Sequence, residues 1–193
     1  MKCRLLGNTG LLVSRFSYDC FTSKECSLTF EQSLTAIERE YKYDVNFVDT
    51  AKAHLKGQSQ GSLDQTVDEL FKWSRDDLVI STKIYLGTET ASRPASNNKG
   101  LSRKHIIEGT KASLKRLNLD YVDVIFCHRS DPVTPLEETV YAMNYVIGQG
   151  WAFFWGTSEW SSHDVHEACE IADRLGLVRP IGSRQSLATS SSA

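Results

Sequence analysis

One pattern constrains this 193-residue chain more than any other: short apolar runs rich in β-branched and aromatic residues, each followed by a segment of helical spacing. NFVDT (46–50), DLVISTK (77–83), YVDVIFC (121–127) and WAFFWGT (151–157) read as strands. LDQTVDELFKW (63–73), LSRKHIIEGTKASLKRL (101–117), PLEETVYAMNYVI (135–147) and SSHDVHEACEIADRLG (161–176) read as helices. Upstream, SRFSYDC (14–20) and LTFEQSLTAIEREY (28–41) supply a first strand and helix. Ser102 suits an N-cap, Pro135 a first helical position and Gly176 a helix stop. YVDVIFC is almost uninterrupted, as expected of a strand buried on both faces.

Alternation of this kind implies an α/β chain with a parallel sheet and helices packed outside it. A doubly wound sheet wants a Gly-rich phosphate turn after its first strand, where Tyr18-Asp19-Cys20-Phe21 stands instead. A (β/α)8 barrel puts its working residues at the C-terminal ends of several strands. Here four apolar runs end in Asp49, Lys83, His128 and Ser158, and the barrel fits better. Such a barrel typically needs about 250 residues, so the expectation is a partial TIM barrel of about five to six βα units. Residues 182–193 (GSRQSLATSSSA) have no apolar periodicity and read as a disordered tail.

Composition excludes several classes. Lys and Arg number 22 against 24 Asp and Glu, so overall charge does not recommend nucleic acid as a partner. No apolar run is long enough to span a membrane, and MKCRLLGNTG does not read as a secretory signal. The five cysteines form no CxxC pair, which argues against a disulfide framework or a metal site and for a cytoplasmic protein. The cysteines and the four tryptophans read as packing residues, with Cys127 the most buried cysteine. His105, His163 and His166 fall on helices and are expected at the surface.

The strand ends carry a match to a known family. FVDTA (47–51), DLVISTKIY (77–85), GLSRKHIIEGTKASLKRLNLDYVDVIF (100–126), DPVTPLEETV (131–140) and QGWAFFWGTSEWSS (149–162) resemble an aldo-keto reductase. More narrowly they resemble the branch that includes the voltage-gated potassium-channel beta subunits. The resemblance covers residues 1–181 and implies an aldo-keto reductase-like domain there, with an incomplete barrel. It also implies NADPH-dependent reduction of an aldehyde or ketone. By that resemblance Asp49 is the catalytic Asp, Lys83 the catalytic Lys and His128 the His/Asn position, while Ser158 binds the cofactor amide.

Departures from the family are equally specific. His54 stands at the position of the family's proton-donating Tyr, Lys52 where Glu is common, and Gln60 where a Glu commonly follows Gly-x-Ser. Cys20 and Phe21 replace a Gly/Thr-Trp element at a cofactor-side loop. The family's seventh and eighth strands, which hold the cofactor's phosphates, have no counterpart among these residues. The resemblance therefore implies a C-terminally truncated reductase that binds NADPH weakly and turns over little. The alternative is a non-catalytic interaction module that self-associates or joins full-length relatives.

Overall fold

The computed structural model describes residues 1–19, 30–50, 74–87 and 97–184. It opens with an antiparallel hairpin, β1 (Cys3–Leu5) and β2 (Leu12–Ser14), in which Arg4 pairs with Val13. Then come β3 (Tyr18–Asp19), α1 (Phe30–Lys42), β4 (Phe47–Asp49) and β5 (Val79–Ile84). The remainder alternates: α2 (Arg103–Arg116), β6 (Val122–Cys127), α3 (Leu136–Gly148), β7 (Ala152–Ser158), α4 (Ser162–Leu175) and β8 (Ser183–Arg184).

Strands β3 to β8 form one parallel sheet in the consecutive order β3-β4-β5-β6-β7-β8. A doubly wound sheet reverses its strand order at a switch point, and none occurs here. The curl of the sheet is visible in one contact, between Asp49 on β4 and Arg184 on β8. Four strand intervals at about 4.8 Å each would put those residues about 19 Å apart on a flat sheet. No arginine reaches that far, so the sheet bends into an open half-barrel. This is the partial barrel that the alternation of runs implies.

Period-two alternation divides the strand residues between two cores. Val79, Val124 and Phe126 turn inward, where with Val13 of the hairpin they form the inner cluster, and Phe47, Phe154 and Ile181 pack against it. Their neighbours Val48, Ile80, Ile125, Cys127 and Trp155 turn outward to meet the helices, among them Ile106, Met143 and Ala168. β6 is buried at all six positions, as its sequence predicts. Its one charged residue, Asp123, accepts from the Ile80 N–H at 2.8 Å and from Arg75 Nη2 at 2.7 Å. The carboxylate thus takes over a main-chain donor of β5 and is neutralised by a guanidinium that lies over the Tyr121 ring.

Two glycines are required by close approach. A Cβ on Gly156 of β7 would stand 2.7 Å from the Phe126 ring, so its absence lets that ring fill the interior. Gly7, at φ +58° in the hairpin turn, lies so near the Ile181 carbonyl that a Cβ would fall 2.0 Å from its oxygen. The hairpin is thereby seated against the segment that follows α4.

Several expectations are refined by the structure. The run 14–20 is not one strand: β2 ends at Ser14 and β3 covers only Tyr18–Asp19. Ser102 and Gly176 cap as expected, with Ser102 Oγ accepting from the His105 N–H and Gly176 in the left-handed region. Pro135 sits one position earlier than expected, as the N-cap of α3. His163 and His166 are exposed, but His105 is buried, because the face of α2 that carries Ile106, Gly109 and Ser113 extends to it. Cys127 is fully buried, and burial pushes its thiol well above the ordinary range. The segment read as a tail from residue 182 begins with β8, since strand pairing uses main-chain groups that polar side chains leave intact. The helix at 63–73 and residues 185–193 lie outside the described residues.

Asp131 joins the loops that follow β5 and β6. Its carboxylate accepts from the Leu101 N–H and Thr134 Oγ1, each at 2.7 Å, and from the Val133 N–H at 3.0 Å. Burial works against its charge, but these hydrogen bonds outweigh it and hold the carboxyl below its ordinary value. A depressed folded-state value gives stability that is present above the unfolded pKa and lost as pH falls through the folded one. Asp131→Asn is therefore expected to lower the urea midpoint at neutral pH. The difference from wild type should shrink as pH drops below about 4, the ordinary Asp value. Denaturation curves at the two pH values check this.

Candidate active site

The C-terminal ends of four adjacent strands carry the residues singled out by sequence. Asp49 closes β4, Lys83 is the penultimate residue of β5, His128 follows β6 directly and Ser158 closes β7. Register fixes which way they face. Asp49 pairs with Ser81, two residues before Lys83, and Lys83 pairs with the inward Phe126. Ser158 follows Phe154 and Gly156 in steps of two. The His128 N–H donates to the Ile84 carbonyl at 3.0 Å, so the alternation continues one residue past β6 and brings His128 to the same side. All four belong to the inner face, at one end of the sheet.

At the centre is a buried charge pair. Asp49 is 2% exposed and Lys83 3%. Lys83 Nζ lies 2.7 Å from Asp49 Oδ2 and 3.4 Å from the Thr50 carbonyl oxygen. Ser81 Oγ donates to Asp49 Oδ1 at 2.7 Å. Thr50 completes the corner, its hydroxyl donating to the Ser81 carbonyl at 2.8 Å. Arg184 Nη1 reaches the same oxygen as Lys83. One carboxylate thus answers two cations, and the corner holds surplus positive charge. Arg184 is exposed, whereas the Lys83 charge is fixed out of water, and a charge held so stabilises negative charge that develops nearby.

The chain matches the Aldo/keto reductase family over residues 20–181. It belongs to that family. It is 50% identical over 181 residues to a probable voltage-gated potassium channel subunit beta of Arabidopsis thaliana, a match covering 94% of this chain and 53% of the relative. A similarly named protein of Oryza sativa is 45% identical over the same shares. A putative voltage-gated potassium channel subunit beta of Schizosaccharomyces pombe is 41% identical, covering 94% of this chain and 52% of the relative. The chain therefore spans about half the length of the curated relatives it matches.

For a member of this family the placement of Asp49, Lys83, His128 and Ser158 at one rim is the arrangement that the strand-end motifs suggested. His54, Cys20 and Phe21 lie outside the described residues. Sequence reasoning passed over Ser81 and Arg184. Ser81 carried a signal, since it precedes Lys83 by two residues and must share its face. Arg184 carried none, because its contact with Asp49 spans 135 residues and depends on the curl of the sheet.

The pair should behave as a unit. Lys83→Met leaves a buried carboxylate short of a cation and is expected to cost about 3–5 kcal/mol. The double variant Asp49→Leu/Lys83→Met should lose less than the sum of the two single changes. Urea denaturation of the four proteins tests this, and additive losses would show that the pair is not coupled.

Proposed function

We propose that the chain is an NADPH-dependent carbonyl reductase by descent, cytoplasmic and of low activity, acting on an aldehyde or ketone. The observation that supports it is the buried Asp49–Lys83 pair on the inner rim, with Ser81 and Thr50 fixing its geometry. That is the arrangement needed to hold a lysine cation against a group that becomes anionic.

The residues present fit one end of the cofactor. Ser158, buried at the end of β7 on the same inner face as Asp49 and Lys83, suits the nicotinamide amide, and His128 suits the carbonyl oxygen of a substrate. A cavity that Asp49 lines measures about 200 Å³, and Lys83, His128 and Ser158 are not among its lining residues. When bound, the reduced nicotinamide supplies a hydride.

The remaining chemistry belongs to the chain. A carbonyl being reduced builds negative charge on its oxygen and must receive a proton. The Lys83 ammonium, held by Asp49, favours the anionic form of a nearby donor and so lowers the cost of giving the proton up. A tyrosine donor, with an ordinary pKa near 10, gains from this. A histidine in the donor's place, as the resemblance assigns to His54, would not: its donor form is a cation, which a neighbouring lysine disfavours. Low activity follows from that substitution.

A second reading draws on the relatives' names. Proteins described as channel beta subunits favour a role as a non-catalytic subunit, and co-purification with a full-length relative would support it.

In a polypeptide of these 193 residues the dissociation constant for NADPH is expected to exceed roughly 100 μM, several kcal/mol short of a tight site. Micromolar binding by fluorescence titration would overturn that. His54→Tyr alone is expected to restore no aldehyde reduction. His54→Tyr fused to the remaining length of a relative is expected to do so, with a gain larger than the product of the separate repairs. A positioned acid contributes about 10²–10⁴-fold, so NADPH oxidation with an aromatic aldehyde resolves the four proteins. Appreciable turnover by the point variant would show that this chain already holds its cofactor.

A further inference from the structure

The cavity beside Asp49 has a wall that the reductase chemistry does not use. It lies between the N-terminal hairpin, β4 and β8, and Arg4, Arg15 and Arg184 all line it. The hairpin register explains two of the three. Arg4 pairs with Val13, and Arg15 follows Val13 by two residues, so both share the face that Val13 buries in the inner cluster. Asp49 is the cavity's one carboxylate among the described residues, and Lys83 and Arg184 already contact it. Among the described residues neither Arg4 nor Arg15 has an ion-pair partner. The chain as a whole carries a net charge of −2, so this excess of guanidinium is local. The lining also includes the apolar side chains of Leu6, Val13, Phe47, Phe126 and Ile181.

A cleft lined by one sign of charge between low-dielectric walls concentrates ions of the other sign. Guanidinium groups match the two oxygens of a carboxylate. The apolar lining requires that the anion carry an organic body, and about 200 Å³ limits that body to a small one. We propose that this cavity binds the carboxylate of a small organic acid. On the reductase reading, on which this consequence rests, the preferred carbonyl substrates carry a carboxylate away from the reacting carbon.

The test titrates the full chain with benzoate and with benzyl alcohol by calorimetry, beside Arg4→Gln/Arg15→Gln. Both arginines are exposed, so the double variant keeps its fold, which circular dichroism checks. Benzoate is expected to bind more tightly than benzyl alcohol, and the double variant to weaken it by about tenfold or more, the worth of one charge-assisted contact. Benzoate binding no better than benzyl alcohol, or unchanged in the variant, overturns the proposal. Inorganic phosphate binding more tightly than benzoate also overturns it, by assigning the cavity to a phosphoryl group. A second arm, in His54→Tyr fused to the remaining length of a relative, compares kcat/KM for 4-carboxybenzaldehyde and benzaldehyde with NADPH, where the ratio is expected to favour the acid and to fall toward one when Arg4→Gln/Arg15→Gln is added. Benzoate binding without turnover of either aldehyde upholds the carboxylate site and sinks the reductase reading. Turnover of both aldehydes without benzoate binding does the reverse.

Discussion

A carboxylate that is 2% exposed has lost almost all of its water, and the middle of this sheet is organised to replace it. Asp49 would be intolerable in an apolar barrel by itself, since a buried charge must be paired and hydrogen-bonded. The compensating groups come from two places: a hydroxyl and an ammonium two residues apart on β5, and a guanidinium from the far edge of the sheet. None can be supplied unless β4 and β5 are in register and the sheet is curled. The pair therefore reports on the architecture as much as on the chemistry, and its weak point as a stabilising device is also its use. A fixed, dry cation at the rim is a feature that stability alone would replace with leucine, and on the proposed reading it serves the reduction.

The same alternation that makes this corner makes both cores. Inward positions begin apolar, at Phe47, Val79, Val124 and Phe154, and turn polar toward the strand ends at Asp49, Ser81, His128 and Ser158. Most outward positions are apolar and meet the helices, with Thr82, Asp123 and Thr157 the exceptions. Stability is thus confined to the lower and outer layers, and the upper inner layer is released for chemistry. Asp123 illustrates the opposite case: a charge within a buried strand, answered by Arg75 and a main-chain N–H, with no part in the rim.

The family, the alternation of strands and helices, and the rim positions Asp49, Lys83, His128 and Ser158 were legible because they are local patterns. Each strand announces its own end, and each polar end residue can be seen without knowing its neighbours in space. What stayed hidden was non-local. The split of residues 14–20 into β2 and β3 follows from pairing with β1 on one side and β4 on the other, which the run itself does not record. His105 looked like an ordinary helix-surface histidine because its burial depends on how α2 is rotated against the sheet. Arg184 sat in a polar stretch with no periodicity, and only the curl of six strands brings it to Asp49.

The seating of the hairpin turn against Ile181 has a consequence in time rather than in space. Gly7 and Ile181 are separated by nearly the whole described chain, yet their main chains touch. Contacts of such sequence separation are closed late, because the loop they close must first lose its freedom. The hairpin is made before α4, and the seat it needs is made only after α4 has been synthesised. Until then Leu6, Leu11 and Val13 wait without Ile181, which packs into the same inner cluster, and an early segment of this fold is among the last to find its place.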